Sequence, residues 1–505
     1  MRLLLVYPEI TCSVTNTSTY SAPLGLGAVG TFCQQRIPNL EVKILDGSMV
    51  PHAEQVDVAQ SFKPDVIGVA PTLASQANGY EVAKAAKDQG ATVLFGGVNS
   101  TNMWRNMLQN QRFIDGVVLY EGEIPLYMIL NRLAEKGFIG NRCLEGIPNV
   151  AYRDDQGNLH EPKWIYVPSL DDLPDIDYSL FDLQRFFEQT RQRGFGNAIT
   201  YYGGKGCSKR SGAKIQREYT WQEYNDQVTG MDTCTFCGRN ELGFRSVGSD
   251  REARIVRTLH DQFGVRGFFN VQDTAELRNT APLGMEDSWF RIFMAAEATT
   301  ERNVQRLMQR YGPQLILQIG VEAATPEMRT VYGKKEIDAE DILSKSQMLL
   351  DHGIQLHASF ILGGRGETRE SMRCTTDIAK QLATLPNATW ILISPEMILP
   401  GSPDFNALLQ MPRMMRKYGS ADILDIPEIN RDFLSQFTPG LKREDILEEI
   451  KATFDVIKQS KSTAVLDVKG VNRDEEAFVD PERPYAETGS CCRLDMSHSL
   501  KQETL

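Results

Sequence analysis

Three cysteines in the middle of the chain have the types and spacing best suited to chemistry. They are Cys207, which follows Gly206, and the pair in Cys234-Thr235-Phe236-Cys237. Two thiolates separated by two residues can both turn onto one metal centre. A structural zinc site wants four ligands, commonly in paired units of this kind. Only three cysteines are in reach here, and the nearest histidine, His260, falls on a predicted helix well downstream. Three thiolates suit a [4Fe–4S] cluster whose fourth iron stays open to a substrate. The spacing by itself leaves zinc and iron–sulfur both open. Cys12, Cys33, Cys143 and Cys374 are isolated and read as small buried apolar residues. Cys491 and Cys492 are adjacent, so the two cannot easily face one metal.

The elements that must position these residues fall into two α/β blocks. Over residues 1–145, short apolar strands (Arg2–Tyr7, Val42–Leu45, Val66–Ala70, Val93–Phe95, Gly116–Leu119) alternate with helical patterns such as Leu24–Gln35, opened by Pro23, and Gly79–Lys87. That alternation predicts a doubly wound, Rossmann-like parallel sheet, with ligands at the carboxyl ends of its strands. Asp46-Gly47, Thr72, Gly96-Gly97 and Glu121-Gly122-Glu123 stand at those ends. Tight turns of an ordinary α/β domain would also explain them. Residues 146–196 read as a linker with a hairpin turning at Asp154–Gly157. From 197 to 400 the alternation resumes, with strands Ala198–Tyr202, Gly267–Val271, Ile292–Ala295, Leu315–Val321, Gln355–Leu362 and Thr389–Pro395. Six βα units predict a partial (β/α)6 barrel of the TIM type, with chemistry at the strand carboxyl ends. Residues 401–472 read as a helical C-terminal region and 473–505 as a poorly ordered tail.

Composition bounds the function classes. The chain has 505 residues, 41% hydrophobic and 24% charged, which is globular usage and excludes disorder or a disulfide-stapled miniprotein. Lys and Arg number 54 against 66 Asp and Glu, and an acidic surface is poorly suited to a phosphate backbone, so nucleic acid is not an expected partner. The apolar run Leu3–Val6 is halted by Pro8, too short for a signal or a membrane span. Nine scattered cysteines without an export signal point to reduced thiols in a cytoplasm.

With the blocks in place, the motifs resemble a known family. From Ala198 to about Pro400 the chain resembles the radical S-adenosylmethionine enzymes. Cys234–Cys237 is similar to the end of their CxxxCxxC motif, with an aromatic before the last cysteine. Gly320-Val321-Glu322-Ala323 is similar to their strand-four motif, Lys334-Lys335 to the lysine that follows it, and Ile361–Thr368 to their strand-five glycine segment. Residues 1–150, through Ala22–Gly27, Asp46, Gly96-Gly97 and Glu121–Glu123, resemble the cobalamin-binding domain that often precedes this barrel.

The resemblance implies that Cys207, Cys234 and Cys237 hold three irons of a [4Fe–4S] cluster. It implies S-adenosylmethionine contacts from Phe236, Gln272, Asp273, Glu322, Lys335, Gly363, Gly364 and Gly366, and cobalamin contacts from Leu24, Gly25, Asp46, Thr72, Gly96, Gly97, Glu121, Gly122 and Glu123. Two departures stand out. The family leaves three residues between its first two cysteines, whereas residues 208–233 separate Cys207 from Cys234. Closure of so long a loop costs only logarithmically more, so Cys207 is kept as a ligand and the insert is expected to join a substrate lid. Arg365 replaces a proline beside the adenine. The usual cobalt-ligating histidine motif is lacking, and His52 reads as a surface residue. Asp273 fits a helix cap equally well, and His357 reads as a core residue before an acid or base.

The function implied is cobalamin-dependent methyl transfer to an unactivated carbon of a small molecule, started by a 5′-deoxyadenosyl radical. An external one-electron reductant of flavodoxin or ferredoxin type is implied with it. Radical ring closure or rearrangement is the alternative, and a non-catalytic cobalamin or cluster sensor the second. No membrane association is expected.

Overall fold

The computed structural model describes residues 1–10 and 21–471, apart from 137–140, 163–164, 167, 193, 208, 210–217, 221–222, 225–226, 228–232, 240, 242, 274, 276, 336, 461, 463 and 469–470. Cys12, Cys491, Cys492 and the C-terminal tail therefore lie outside the described residues, as does much of the insert.

The first sheet is built from β1 (Arg2–Tyr7), β2 (Glu41–Asp46), β3 (Val66–Val69), β4 (Thr92–Phe95) and β5 (Gly116–Val118), all parallel, in the order β2-β1-β3-β4-β5. Leu3, Leu4, Leu5 and Val6 are fully buried, because helices cover both faces of a parallel sheet. The expected linker hairpin is not a free connector. Its strands β6 (Val150–Arg153) and β7 (Leu159–His160) add antiparallel to β5 and extend the first sheet.

Two short antiparallel pairs follow, β8 (Ile165–Tyr166) with β11 (Glu218–Tyr219) and β10 (Gly204–Gly206) with β12 (Phe244–Ser246). The barrel strands are β9 (Ala198–Tyr201), β13 (Gly267–Asn270), β14 (Trp289–Ala295), β15 (Leu315–Glu322), β16 (Gln355–Leu362), β17 (Ala388–Pro395) and β18 (Val465–Asp467). All pair in parallel, in the order β9-β13-β14-β15-β16-β17-β18. The six expected strands are present. A seventh, β18, comes from the far end of the described chain, and the sheet is a curled half-barrel. Its helices carry clear stop and start signals. Thr368 and Ser371 form a capping box for Arg369–Ala383, and Gly264 ends Ser249–Phe263 in the left-handed region.

The C-terminal helices brace both domains. Phe405, Leu408, Met414, Tyr418, Ile426 and Phe433 share a core with Val6, Val69 and Phe95 of the first sheet. Ile446, Ile450 and Phe454 of the Arg443–Gln459 helix join the barrel core instead. A buried ionic joint lies beside them. Lys205 of β10 places its Nζ 2.8 Å from Glu121 and 3.7 Å from Glu123, while Arg245 of β12 meets the other oxygen of Glu121 at 2.5 Å. Burial works against the Glu121 charge, but the two cations outweigh it and hold its pKa at about 2. Glu123, also buried and beside that carboxylate, is pushed up although Lys205 pulls it back.

Two outcomes follow from these contacts. A Cβ at Gly267 would fall 2.6 Å from that of Ala198 and onto the Trp289 indole. Gly267→Ala should therefore cost about 1–3 kcal/mol by overpacking, read as a lower denaturant midpoint. Glu121→Gln should cost on the order of 3 kcal/mol at neutral pH, because it strips a carboxylate from two buried cations. A carboxyl group held at about 2 against an ordinary 4.5 contributes stability that is complete above about pH 5 and lost as pH falls towards 2. The variant's stability should accordingly fall less steeply over that window than the wild type's, when midpoints are measured from pH 7 to pH 3.

Candidate active site

The carboxyl ends of the first sheet face the cysteine segment across a cavity of about 660 Å³. The order reverses between β1 and β3, the point at which open parallel sheets bind ligands. Tyr7, Val69 and Ala70 line the cavity there. Leu24, Gly25, Thr72, Gly96, Gly97, Glu121, Gly122 and Glu123 line it as well, so eight of the nine residues expected at a corrin come together. The opposite side comes from the second domain, through Lys205, Phe236, Cys237, Gly238, Arg239 and Pro400.

Gly97 has a φ of +82°, where L side chains are strained, and it starts the Gly97–Asn110 helix. At Gly122 a Cβ would press on Val29 at 3.1 Å. This mostly apolar cradle, with backbone bare at the strand ends, fits a large flat cofactor. Among the described residues that line it there is no histidine.

Asp46 is the exception. It ends β2, outside β1 and away from the reversal point, and its carboxylate accepts from the Ser48 amide at 2.9 Å and hydroxyl at 2.8 Å. Burial lifts its pKa to about 6, against the pull of those two donors. It shapes its own turn rather than the cavity.

Cys234 and Cys237 stand on one turn, closed by Cys237 N–H donating to Cys234 O at 3.1 Å. Cys207 follows β10, and all three are partly buried free thiols. No three metal-binding side chains converge on a point among the described residues. A [4Fe–4S] cluster takes one thiolate per iron, so its ligands stand wider apart than those of a single ion, and partly exposed free thiols are open to such a group. Burial raises the Cys234 thiol to about 11, with Lys334 and Lys209 pulling it down.

Beside the turn, β15 ends at Glu322, held at φ +60° after a register shift. Its carboxylate folds back over Gly320, where a Cβ would lie 2.6 Å from Oε1. Lys334, not Lys335, is the lysine that meets it, with Nζ 2.7 Å from Oε1 and both side chains buried. Lys335 is exposed, and its carbonyl accepts from Arg329 Nε at 2.9 Å. The chain turns between the two lysines, so only the first faces inward.

Phe236 packs edge-on against Tyr332 at 5.7 Å, and Tyr332 in turn fills the space beside Gly364. Gly363 and Gly366 are both left-handed and complete the loop after β16. Arg365 turns away from this glycine loop: its guanidinium binds Asp404 and donates to Pro403 O at 3.0 Å. On the other flank, Gln272 is buried beside Gly203 and Gly204, and Asp273 pairs with Arg239 at 3.2 Å. Of the expected S-adenosylmethionine residues, Phe236 stands on the cysteine turn, Glu322 borders Cys234 and Gly364 adjoins Tyr332, which packs on Phe236, whereas Lys335 is exposed.

The remaining expectations fall outside this site. His357 is buried and stacked on Trp390 at 5.2 Å, while His52 sits 2.7 Å from Glu81 near the surface. Cys33 and Cys143 are buried as expected, but Cys374 is exposed on the Arg369–Ala383 helix. Within the insert, buried Tyr224 meets Tyr120, a cavity residue of the first domain, at 4.3 Å. Sequence reasoning missed Lys205, Arg239, Arg245 and Tyr120. Two glutamates at one strand end, Glu121 and Glu123, were the available signal that cations must come from elsewhere.

Residues 10–130 match the family model of the B12 binding domain. An uncharacterized methyltransferase of Pyrococcus horikoshii is 24% identical over 399 residues, covering 76% of this chain and 78% of that protein. A cytidylyl-2-hydroxyethylphosphonate methyltransferase of Streptomyces wedmorensis is 22% identical over 453 residues, covering 78% and 79%. The radical S-adenosylmethionine methyltransferase TsrM from Kitasatospora setae, solved with tryptophan substrate and a SAM analog, superposes with a TM-score of 0.60 at 15% identity, covering 81% of this chain and 76% of that one. The cobalamin-dependent S-adenosylmethionine radical enzyme OxsB, solved with aqua-cobalamin, gives 0.60 at 15% identity, covering 83% and 61%. The chain therefore carries a B12 binding domain and has the fold of the cobalamin-dependent radical S-adenosylmethionine enzymes.

Proposed function

We propose that this chain is a cobalamin-dependent radical S-adenosylmethionine methyltransferase acting on a small molecule. One observation carries the reading: a single cavity is lined on one side by the strand ends of the B12 binding domain and on the other by Phe236, Cys237 and Gly238. Two cofactors used in one reaction would meet in such a space. Cys207, Cys234 and Cys237 would hold three irons of a [4Fe–4S] cluster. When bound, the cluster would supply one electron to cleave S-adenosylmethionine into methionine and a 5′-deoxyadenosyl radical that takes a substrate hydrogen, and the corrin would supply the methyl group, taken from a second S-adenosylmethionine that leaves as S-adenosylhomocysteine.

The protein's own residues position and shield. Glu322 and Lys334 neutralise one another beside Cys234, which fixes two hydrogen-bonding groups where the sulfonium substrate must lie. Gly363 and Gly364 let Ile446 and Tyr332 pack directly on the loop after β16, Gly366 leaves open space beside it, and Gln272 and Asp273 border the β10 side. The apolar strand ends keep water from a reactive radical. Electrons come from an external flavodoxin- or ferredoxin-type reductant, and a reducing cytoplasm suits the free thiols. No helix among the described residues is long and apolar enough to cross a membrane.

Anaerobically reconstituted protein should retain hydroxocobalamin through a desalting column and release S-adenosylhomocysteine with deoxyadenosine. Deoxyadenosine without S-adenosylhomocysteine would overturn methyl transfer in favour of radical ring closure or rearrangement. Cys234→Ala and Cys237→Ala should each lose the cluster's iron. Gly97→Leu should lose the corrin and keep the iron. Lys334→Ala should slow deoxyadenosine formation at least tenfold, whereas Lys335→Ala should stay within about twofold of wild type. Equal effects at the two lysines would remove Lys334 from the site.

A further inference from the structure

The Gly97–Asn110 helix carries asparagine at 102, 106 and 110, spaced so that all three share a face. Each carboxamide donates across the domain boundary to two oxygens. Asn102 reaches Gly238 O at 2.9 Å and Pro400 O at 2.8 Å. Asn106 reaches Gly419 O at 3.1 Å and Ala421 O at 2.8 Å. Asn110 reaches Ser420 O and an oxygen of Asp422, at 2.8 and 2.9 Å.

The two lower rungs grip the C-terminal brace. The upper rung grips the residue that follows Cys237, and it also lines the cavity. The receiving loop is shaped to it: a Cβ at Gly401 would fall 2.5 Å from Asn102 Oδ1. The helix begins at Gly97, in the bare backbone of the cavity wall, so one rigid rod runs from the corrin side to the cysteine turn.

Resting on the reading of a cluster and a corrin sharing this cavity, we propose that Asn102 is a positioning residue. Its carboxamide holds the Cys234–Cys237 turn at a set distance from the B12 binding domain. Asn106 and Asn110, by contrast, only fasten the domains. Asn102 touches no reacting atom; it acts through the backbone of Gly238.

The test uses the full chain, reconstituted with iron, sulfide and hydroxocobalamin and then reduced with dithionite, as wild type, Asn102→Leu and Asn106→Leu. Iron and corrin contents should match in all three. The electron spin resonance of cob(II)alamin relaxes faster when a paramagnetic cluster stands near it. Asn102→Leu should therefore lower the half-saturation power of that signal at least threefold and shift the g-values of the reduced cluster. Asn106→Leu should change neither. Unchanged spectra in Asn102→Leu, or equal changes in both variants, would overturn the assignment. Should Asn102→Leu fail to fold, Asn102→Ser, which shortens the reach without adding an apolar group, is read against the same two outcomes. Wild-type protein that holds iron but no corrin would overturn the function reading alone, because the cluster g-values still report the position of the turn.

Discussion

A carboxylate stays charged inside a protein only where cations or hydrogen-bond donors stand beside it, and Glu121 finds two cations on the other domain. Lys205 and Arg245 occupy neighbouring strands of the short β10–β12 ribbon, two residues before Cys207 in the first case. Loss of any one of the three would leave a buried charge uncompensated, and Lys205 ties the segment leading to the first cysteine to the first sheet. The arrangement thus makes the two α/β blocks one functional body. The cavity between them is lined from both sides, by strand ends of the first block and by the cysteine turn of the second.

With the joint in place, the remaining geometry follows from strand direction. β1–β5 of the first sheet and all seven strands of the second are parallel, so each set gathers its strand-to-helix loops at its carboxyl end, and the joint links those two ends. The first sheet brings glycines and an apolar wall. The second brings cysteines, a neutralised Glu322–Lys334 pair and a left-handed glycine loop. Arg365, which departs from the motif it resembles, is explained by the same economy of contacts. It binds Asp404, whose backbone amide donates to Thr235 O at 3.0 Å, so the glycine loop, the C-terminal brace and the cysteine turn are tied through one guanidinium.

Period and punctuation carried most of the fold. Runs such as Leu3–Val6 and Gln355–Leu362, closed by proline or glycine, mark strands without ambiguity, and the helix between Ser249 and Phe263 ends at the glycine one would choose. What escaped was set by contacts between distant residues. The choice between Lys334 and Lys335 depends on how a turn presents two neighbours, which no local pattern encodes. Glu121 and Lys205, or Asn102 and Pro400, are paired across long stretches of chain, and each half alone looks like ordinary surface. Asp46 sits at a strand end like its companions, but only the sheet order reveals that its strand lies on the outer side of the reversal. The hairpin after Asn149 was legible as a hairpin, though not as part of the first sheet, because an antiparallel edge on a parallel sheet leaves no trace in the spacing.

The position of β18 has a bearing on how the molecule is made. The partner strand β17 is buried along nearly its whole length, and the strand that covers its outer edge, Val465–Asp467, lies beyond the entire helical brace. During synthesis the barrel therefore waits with one hydrogen-bonding edge unsatisfied until the last part of the described chain has emerged. An unpaired, apolar edge of this kind is a template for pairing with a neighbouring chain. A fragment that stops after the barrel motifs, at about residue 400, would keep every cysteine and glycine of the site and still be a poor object to work with, prone to assemble through β17 instead of folding alone.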